Sequence, residues 1–352
     1  MVTRPKILNS PTTMESELFN ILRGYAGLYP PQHLNFPSTL PLELLHDFFL
    51  NQLLLDPHFE AFPPSEQYQK TFWKWTIAQL ERKLADSDFE IDSRIYDHYL
   101  ALLNTTSQSG PPSQSYITHF WKPLGSEITT AHQKTTLLES RTMIEGGTTG
   151  MRTWLASLVL AQHLITNPDI VQHKRVLELG AGIGFLGCIV ATIQHLQGAY
   201  GALWLTDINE TVLSRCQDNI KLTCNLSSSH PHVRCCSLDW SAALEGLAPV
   251  TSLLDEIAPE LILGADIVFD PELIPPLVAI LRLSLRPKPR SMAIIALTLR
   301  NPATMQKFLD AVANVNDLVL EDIDPEPTSH DMFVEGVEGS ATVKIFKIQY
   351  RA

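Results

Sequence analysis

The second half of the chain alternates between short apolar runs and amphipathic stretches, and this alternation constrains the fold more than any other feature. Helical patterns separate most of the apolar runs, which have the length and composition of buried strands. These runs are residues 175–179, 202–207, 233–238, 260–265, 292–299, 318–323 and 342–350. Such alternation predicts a doubly wound α/β sheet that binds its ligands beyond the carboxyl ends of the strands.

The N-terminal part of the chain has a different pattern, because its apolar residues recur at helical spacing. Residues 42–55 are apolar around most of a helix, and residues 71–84 form another amphipathic stretch. The segment SQSGPPSQS, residues 107–115, has the composition of a linker. The sequence therefore predicts a mainly helical domain with its linker over residues 1–115 and a second domain over residues 116–352.

Composition and charge narrow the class of protein. Lys and Arg total 26 against 38 Asp and Glu, so the formal net charge of -12 argues against a general nucleic-acid surface and suits a basic partner. The five cysteines include no CxxC pair, which is typical of reduced thiols rather than a zinc site or a secreted disulfide framework. Without a signal-peptide core or an apolar run of about 18 residues, we expect a cytosolic monomer that does not enter a membrane.

A glycine-rich turn follows the first strand pattern of the second domain. Glycines at Gly180, Gly182 and Gly184 let the backbone approach a nucleotide-like ligand, while free N–H groups at the next helix accept an anion. A register that starts at Gly182 satisfies GxGxxG, so a nicotinamide or flavin enzyme is an alternative. Counted from Gly180, however, the fingerprint requires Gly or Ala where this chain has Phe185.

Acidic residues lie in or at the ends of the first two strand patterns. Glu178 is a charge inside an apolar strand, which is easier to explain as part of a binding site than as core, although backbone N–H groups could also satisfy it. Asp207 ends the next pattern, where a carboxylate can accept both hydroxyls of a ribose. The alternative role for Asp207 is to cap the helix that begins near Glu210.

Two further strand patterns end in candidate ligand-binding residues. Asp239 and Trp240 could hold an adenine by hydrogen bonding and stacking, although a single Trp is more often part of a core. Asp266 ends the fourth pattern, LILGAD, and its alternative role is to cap the helix after Pro271. Because parallel strands end at the same edge of a sheet, we expect all four strand ends to open on one crevice.

These motifs resemble a known family. ELGAGIGFLG, LTDIN, DW and GADIVFDPEL, preceded by GTTGMRTW, look like the class I, seven-strand, Rossmann-like methyltransferases that use S-adenosyl-L-methionine. Asp266-Ile267-Val268-Phe269 is similar to the Asp-x-x-Tyr/Phe motif of their lysine-specific members. TTLLESRTMIEGGTTGMRTW, with a helical N-terminal domain, resembles the elongation factor 2 lysine methyltransferases of eukaryotes.

The resemblance implies roles for individual residues. It assigns cofactor contacts to seven residues, and the charge within the first strand pattern adds Glu178 to them. The cofactor set is Trp154, Glu178, Gly180, Ala181, Gly182, Asp207, Trp240 and Ala265. Asp266 and Phe269 would face the target lysine as the catalytic pair, with Asp266 orienting the ammonium and Phe269 and Trp154 forming apolar walls. Phe269 lacks the hydroxyl of tyrosine, so it receives no role in proton transfer.

The resulting hypothesis is a lysine methyltransferase that releases S-adenosyl-L-homocysteine and acts on a protein, namely elongation factor 2. Three alternatives stay open: an NAD(P)-dependent oxidoreductase, a methyltransferase for another protein, small molecule or nucleic acid, and a binding module without catalysis. We expect no metal site, because His230-Pro231-His232 lacks a third ligand at suitable spacing and is interpreted as a solvated loop.

Overall fold

A computed structural model describes residues 16–84, 89–105, 114–123, 132–285, 291–323, 332–333 and 341–351. The chain divides into two compact units, residues 1–111 and 112–352. The predicted linker is partly wrong, because Gln114 and Ser115 begin a strand. Residues 107–113 of that segment lie outside the described residues, and two functional domains that meet after residue 115 remain a prediction.

The first unit is helical in its described residues. Its α-helices are α1 (Ser16–Ala26), α2 (Leu42–Asp47), α3 (Pro57–Ala61), α4 (Glu66–Leu84) and α5 (Ser93–Asn104). A π-helix, Phe48–Leu54, continues α2, so the apolar stretch at residues 42–55 changes its helical geometry halfway along. Phe49, Phe72 and Trp73 are fully buried and form an aromatic core with Tyr25, which explains why apolar side chains surround this part of the chain.

The second unit contains a two-stranded antiparallel hairpin and a seven-stranded sheet, counted over the described residues. The hairpin strands are β1 (Gln114–Trp121) and β2 (Gln133–Ser140). The sheet strands are β3 (Val176–Leu179), β4 (Leu203–Asp207), β5 (Val233–Ser237), β6 (Leu261–Ala265), β7 (Met292–Thr298), β8 (Leu318–Ile323) and β9 (Val343–Tyr350). The order is β5-β4-β3-β6-β7-β9-β8, and β9 is antiparallel to both of its neighbours. This confirms the predicted doubly wound, seven-stranded α/β fold.

Helices cover both faces of this sheet, and alternate strand residues explain why. In β3, Val176 packs into one apolar layer, whereas Leu177 and Leu179 pack into the other. The first layer contains α6 (Leu155–Thr166), α7 (Phe185–Leu196) and α8 (Glu210–Ile220). The second contains α9 (Ser241–Leu244), α10 (Ala248–Ile257), α11 (Ile274–Ser284) and α12 (Pro302–Ala313). Both faces of the central strands are therefore dry, and their carboxyl ends remain accessible.

The β1–β2 hairpin was not predicted, and its contacts fix it to the second unit. Asn225 accepts a hydrogen bond from the backbone N–H of Thr136 at 2.8 Å, and Asn219 accepts one from Leu138 at 2.8 Å. Both asparagines are buried. The hairpin is therefore held by side chains that follow it by more than 80 positions in the sequence.

The interpretation of His230 as part of a solvated loop was wrong. Its side chain is buried, and burial lowers the pKa of His230 to about 4. One ring nitrogen lies 2.9 Å from the side-chain oxygen of Gln194. Among the residues whose placement is described, no group of three or more His, Cys, Asp or Glu side chains could hold a metal ion. In the same described residues, no helix has both the length and the apolar character needed to span a membrane.

Candidate active site

A cleft lies at the carboxyl ends of β3, β4, β5 and β6. Nine of the ten predicted site residues line it: Trp154, Gly180, Ala181, Gly182, Asp207, Trp240, Ala265, Asp266 and Phe269. They come from stretches separated by more than 100 positions, and the parallel register of the strands brings them together. Glu178 is the predicted residue that the structure does not place in the lining.

The glycine-rich turn forms the floor of the cleft between β3 and α7. Gly182 has a φ of +54°, and a β-carbon added there would lie 3.0 Å from the carbonyl oxygen of Gly150. A side chain at this position would therefore be strained and would push apart the two loops that meet there. The absence of side chains at Gly180 and Gly182 lets a ligand approach the backbone of the turn closely.

Asp207 closes the cleft on the side of β4. Its Oδ2 accepts a hydrogen bond from the N–H of Gly182 at 3.3 Å, and its Oδ1 accepts one from Asn209 at 3.0 Å. Burial raises the pKa of Asp207 above its ordinary value, and these backbone hydrogen bonds partly offset the rise. The alternative role as a helix cap was wrong, because Asn209 caps α8 by accepting hydrogen bonds from Thr211 and Val212. Further hydrogen-bond donors in the cleft would therefore stabilise the charged form of the Asp207 carboxylate.

Glu178 lies within β3, in the sheet rather than in the cleft. Its side chain is buried, and its Oε2 has no hydrogen-bond partner. Burial raises the pKa of Glu178 well above its ordinary value, and the nearby Cys235 and Asp207 add to the rise. Glu178 is therefore a buried residue of the sheet that does not line the cleft, and its role as a cofactor contact stays a prediction.

Trp240 forms the wall above the glycine-rich turn. A β-carbon placed on Gly180 would lie 3.7 Å from its indole ring, so the ring packs against the turn itself. Trp240 is half-buried, and Asp239 beside it is exposed. Asp239 accepts a hydrogen bond from the N–H of Ser241 at 2.8 Å, which fixes its carboxylate at the cleft rim. A flat aromatic ring next to a carboxylate matches the shape and donors of a purine.

Trp154 stands opposite, just before α6. Its indole N–H donates to the carbonyl of Thr149 at 3.0 Å. The loop that carries it is anchored to β2, because Glu139 accepts hydrogen bonds from the hydroxyl and the N–H of Thr153 at 2.6 and 3.1 Å. Although burial opposes ionisation, His119 and Thr153 hold the pKa of Glu139 below its ordinary value. The buried hairpin therefore positions one wall of the cleft.

Asp266 adopts a left-handed backbone conformation with a φ of +54°, which Asp tolerates better than most residues. Its side chain is 6% exposed. Oδ1 accepts a hydrogen bond from the N–H of Thr298 at 2.7 Å, and Oδ2 accepts bonds from the Thr298 hydroxyl at 2.8 Å and from Arg300 at 3.1 Å. The alternative role in capping was wrong, since Asp270 accepts the capping hydrogen bond from Glu272.

Phe269 lies three positions further on and is 59% exposed at the mouth of the cleft. An exposed aromatic ring is accessible to a ligand, whereas a core ring is not. The sequence reasoning missed Thr298 and Arg300, which hold Asp266 by hydrogen bonds. Thr298 is the last residue of β7, and Arg300 lies two positions after it. One signal was available, because Thr298 is the one hydroxyl residue in the apolar run 292–299 and Arg300 follows that run directly.

The fold and site define an α/β protein with a cleft at its strand ends that is lined by two tryptophans and two buried or half-buried aspartates. A family of proteins described as lysine methyltransferases matches residues 133–315, and the chain belongs to that family. The chain is 31% identical to "Protein-lysine N-methyltransferase EFM3" of Chaetomium thermophilum, over 84% of this chain and 88% of that protein. It is 30% identical to human "Protein-lysine N-methyltransferase EEF2KMT", over 76% of each. It is also 29% identical to human "Putative protein N-methyltransferase FAM86B1", again over 76% of each.

Proposed function

We propose that the cleft binds S-adenosyl-L-methionine and that the enzyme transfers its methyl group to a lysine of elongation factor 2. The observation that carries the proposal is that Asp207, Trp240 and Asp266, which follow three strand ends, line one cleft together with Trp154. Membership of the lysine methyltransferase family supports the reaction. The similarity to EEF2KMT over three quarters of the chain supports the substrate.

The cofactor fits the donors and acceptors that line the cleft. Asp207 is a half-buried carboxylate whose pKa is raised by burial, and two ribose hydroxyls would supply it with further hydrogen-bond donors. Trp240 offers a ring face for the adenine. The glycine-rich turn offers room for the cofactor to approach the backbone closely. S-Adenosyl-L-methionine supplies a methyl group on a positively charged sulfur, which makes the carbon electrophilic.

The residues at the far end of the cleft would prepare the lysine. Its ammonium has a reference pKa of about 10.4 and must lose a proton before the nitrogen can attack. Asp266 would attract and orient the ammonium, while Trp154 and Phe269 would exclude water and favour the cation through their ring faces. Exclusion of water favours the neutral amine, although the carboxylate opposes that loss. The main contribution of Asp266 would therefore be to orient the lysine nitrogen for attack.

The test adds the purified protein and labelled S-adenosyl-L-methionine to a lysate from cells that lack this protein. The same reaction is then run with purified elongation factor 2 in place of the lysate. We expect one labelled band in the lysate, methyl-lysine in the purified factor, and no label with an Asp266→Ala variant. That variant should keep its cofactor affinity within about tenfold, since Asp266 acts on the lysine. The matched control is Asp270→Ala, which removes a neighbouring carboxylate that does not line the cleft. Undiminished transfer by Asp266→Ala would remove its catalytic role, and no label on elongation factor 2 would remove the substrate.

A further inference from the structure

Arg300 pairs with the carboxylate that the proposed function gives to the target lysine. Its Nη2 donates to Oδ2 of Asp266 at 3.1 Å. Asp266 is nearly buried at 6% exposure, whereas the Arg300 side chain is 43% exposed. The cation therefore reaches a buried carboxylate from the solvent side, which is the direction from which a substrate side chain arrives.

Arg300 also contacts the aromatic wall of the same site. Its guanidinium carbon lies 4.8 Å from the centre of the Trp154 ring, within the range of a cation–π contact. Asp266 and Trp154 are two of the three groups, with Phe269, that would attract a lysine ammonium. Arg300 thus contacts both groups, and its guanidinium would repel a second cation that approached the same oxygen of Asp266.

Thr298 holds Asp266 independently of Arg300. Its backbone N–H bonds one carboxylate oxygen at 2.7 Å and its hydroxyl bonds the other at 2.8 Å. Thr298 is buried at the end of β7. The carboxylate therefore keeps two hydrogen bonds, and a fixed direction, when the guanidinium leaves.

We infer that Arg300 is a resident cation that occupies the lysine-binding position until the substrate ammonium displaces it, with Thr298 as the positioning residue that keeps Asp266 oriented. This inference rests on the proposed function and deepens it. Displacement exchanges one cation for another at the same carboxylate and ring. A substrate must therefore add contacts of its own to displace Arg300, so the residue raises the selectivity of the site for proteins that dock beside the cleft.

The direct test is the steady-state kinetics of Arg300→Gln with elongation factor 2. Loss of the competing cation should lower KM about threefold to tenfold, the combined scale of a partly exposed ion pair and a cation–π contact. kcat should stay within about twofold, because Thr298 still orients Asp266. A lower kcat at unchanged KM would show that Arg300 only supports Asp266, and unchanged KM and kcat would show that it does neither; either result overturns the inference.

Two further variants separate displacement from general disturbance of the site. Arg152 also stacks over Trp154, at 4.9 Å, and is therefore the matched control. Because Arg300 contacts both Asp266 and Trp154, the displacement account predicts a smaller fall of KM in Arg152→Gln than in Arg300→Gln, and an equal fall in both variants would contradict it. Thr298→Val should lower kcat rather than KM, and Thr298→Ser, which keeps the hydroxyl, should restore it. A fall in KM alone for Thr298→Val would contradict the positioning role.

A readout that does not need methyl transfer keeps this inference separate from the proposed function. n-Butylammonium, a stand-in for the lysine side chain, can be titrated into the full-length protein with and without S-adenosyl-L-homocysteine and followed by ligand-observed NMR. We expect Arg300→Gln to bind the probe about threefold to tenfold more tightly than the unsubstituted protein. Equal affinity would overturn the inference even if transfer is observed. Failure of the unsubstituted protein to methylate elongation factor 2 would overturn the proposed function instead.

Discussion

Replacement of Glu178 by Gln tests the burial of a carboxyl group in β3 that has one oxygen without a hydrogen-bond partner. The substitution keeps the size of the side chain and removes its ability to ionise. Glu178 is buried with one oxygen unpartnered, and burial raises its pKa well above the ordinary value, with Cys235 and Asp207 adding to the rise. The folded protein therefore holds this proton more tightly than the unfolded chain does.

The sign and size of the effect follow from that difference in proton binding. The stabilising contribution of protonated Glu178 is complete below the ordinary pKa, about 4.3, and declines as pH rises toward the higher folded-state value. The free energy of unfolding then falls by up to about 1.4 kcal/mol per pH unit. Gln does not titrate, and the cost of its unpaired amide, about 1 to 3 kcal/mol, is the same at every pH. The free energy of unfolding of the variant, relative to that of the unsubstituted protein, must therefore increase as pH rises.

Urea unfolding at several pH values between about 5 and 8, followed by tryptophan fluorescence and circular dichroism, measures this difference. Glu145→Gln is the matched control, because hydrogen bonds from Ser140 and Gln114 lower the pKa of Glu145. The stability that Glu145 contributes is present above its ordinary pKa and is lost only as pH falls. The difference in the free energy of unfolding between Glu145→Gln and the unsubstituted protein should therefore not change over the same pH range. A level difference for Glu178→Gln would refute the reasoning.

Two other substitutions test ligand binding in the cleft and the stability of the glycine-rich turn. Asp207→Ala should weaken binding of S-adenosyl-L-homocysteine about tenfold to a hundredfold, the scale of a charged hydrogen bond, and unchanged affinity in calorimetry would contradict the ribose assignment. Gly184→Ala should lower the free energy of unfolding by about 1 to 3 kcal/mol, because Gly184 has a φ of +88° and the new methyl would lie 2.7 Å from Cys216 Sγ. Gly198→Ala is the control, since its φ is also positive but nothing lies within 4 Å, and equal losses in thermal unfolding would exclude the clash.

The strands of the large sheet could be predicted because burial on both faces leaves a clear mark in the sequence. Val176–Leu179 and Leu261–Ala265 are almost wholly apolar, and turn residues bound them closely. Once strands are parallel, the residues that follow them must lie at one edge, so Asp207 and Asp266 could be placed in one cleft without coordinates. The predicted placement of those two residues depended on topology alone.

The hairpin could not be predicted, because its buried positions are partly polar. Thr136 and Glu139 are buried, yet the sequence does not show the partners that satisfy them. Asn225 accepts from the N–H of Thr136, and Thr153 donates to Glu139, so long-range hydrogen bonds replace the apolar pattern that usually marks a strand. Local sequence also shows that Glu178 is a charge within a strand, but not whether its side chain lines the cleft.

The central claim is that an S-adenosyl cofactor lies across the strand ends between Trp154 and Trp240. Calorimetric titration of the full-length protein with S-adenosyl-L-homocysteine, and separately with NADH, tests it most directly. The account predicts saturable binding of S-adenosyl-L-homocysteine at one site per chain and no binding of NADH. Binding of NADH alone would contradict it and would favour an oxidoreductase.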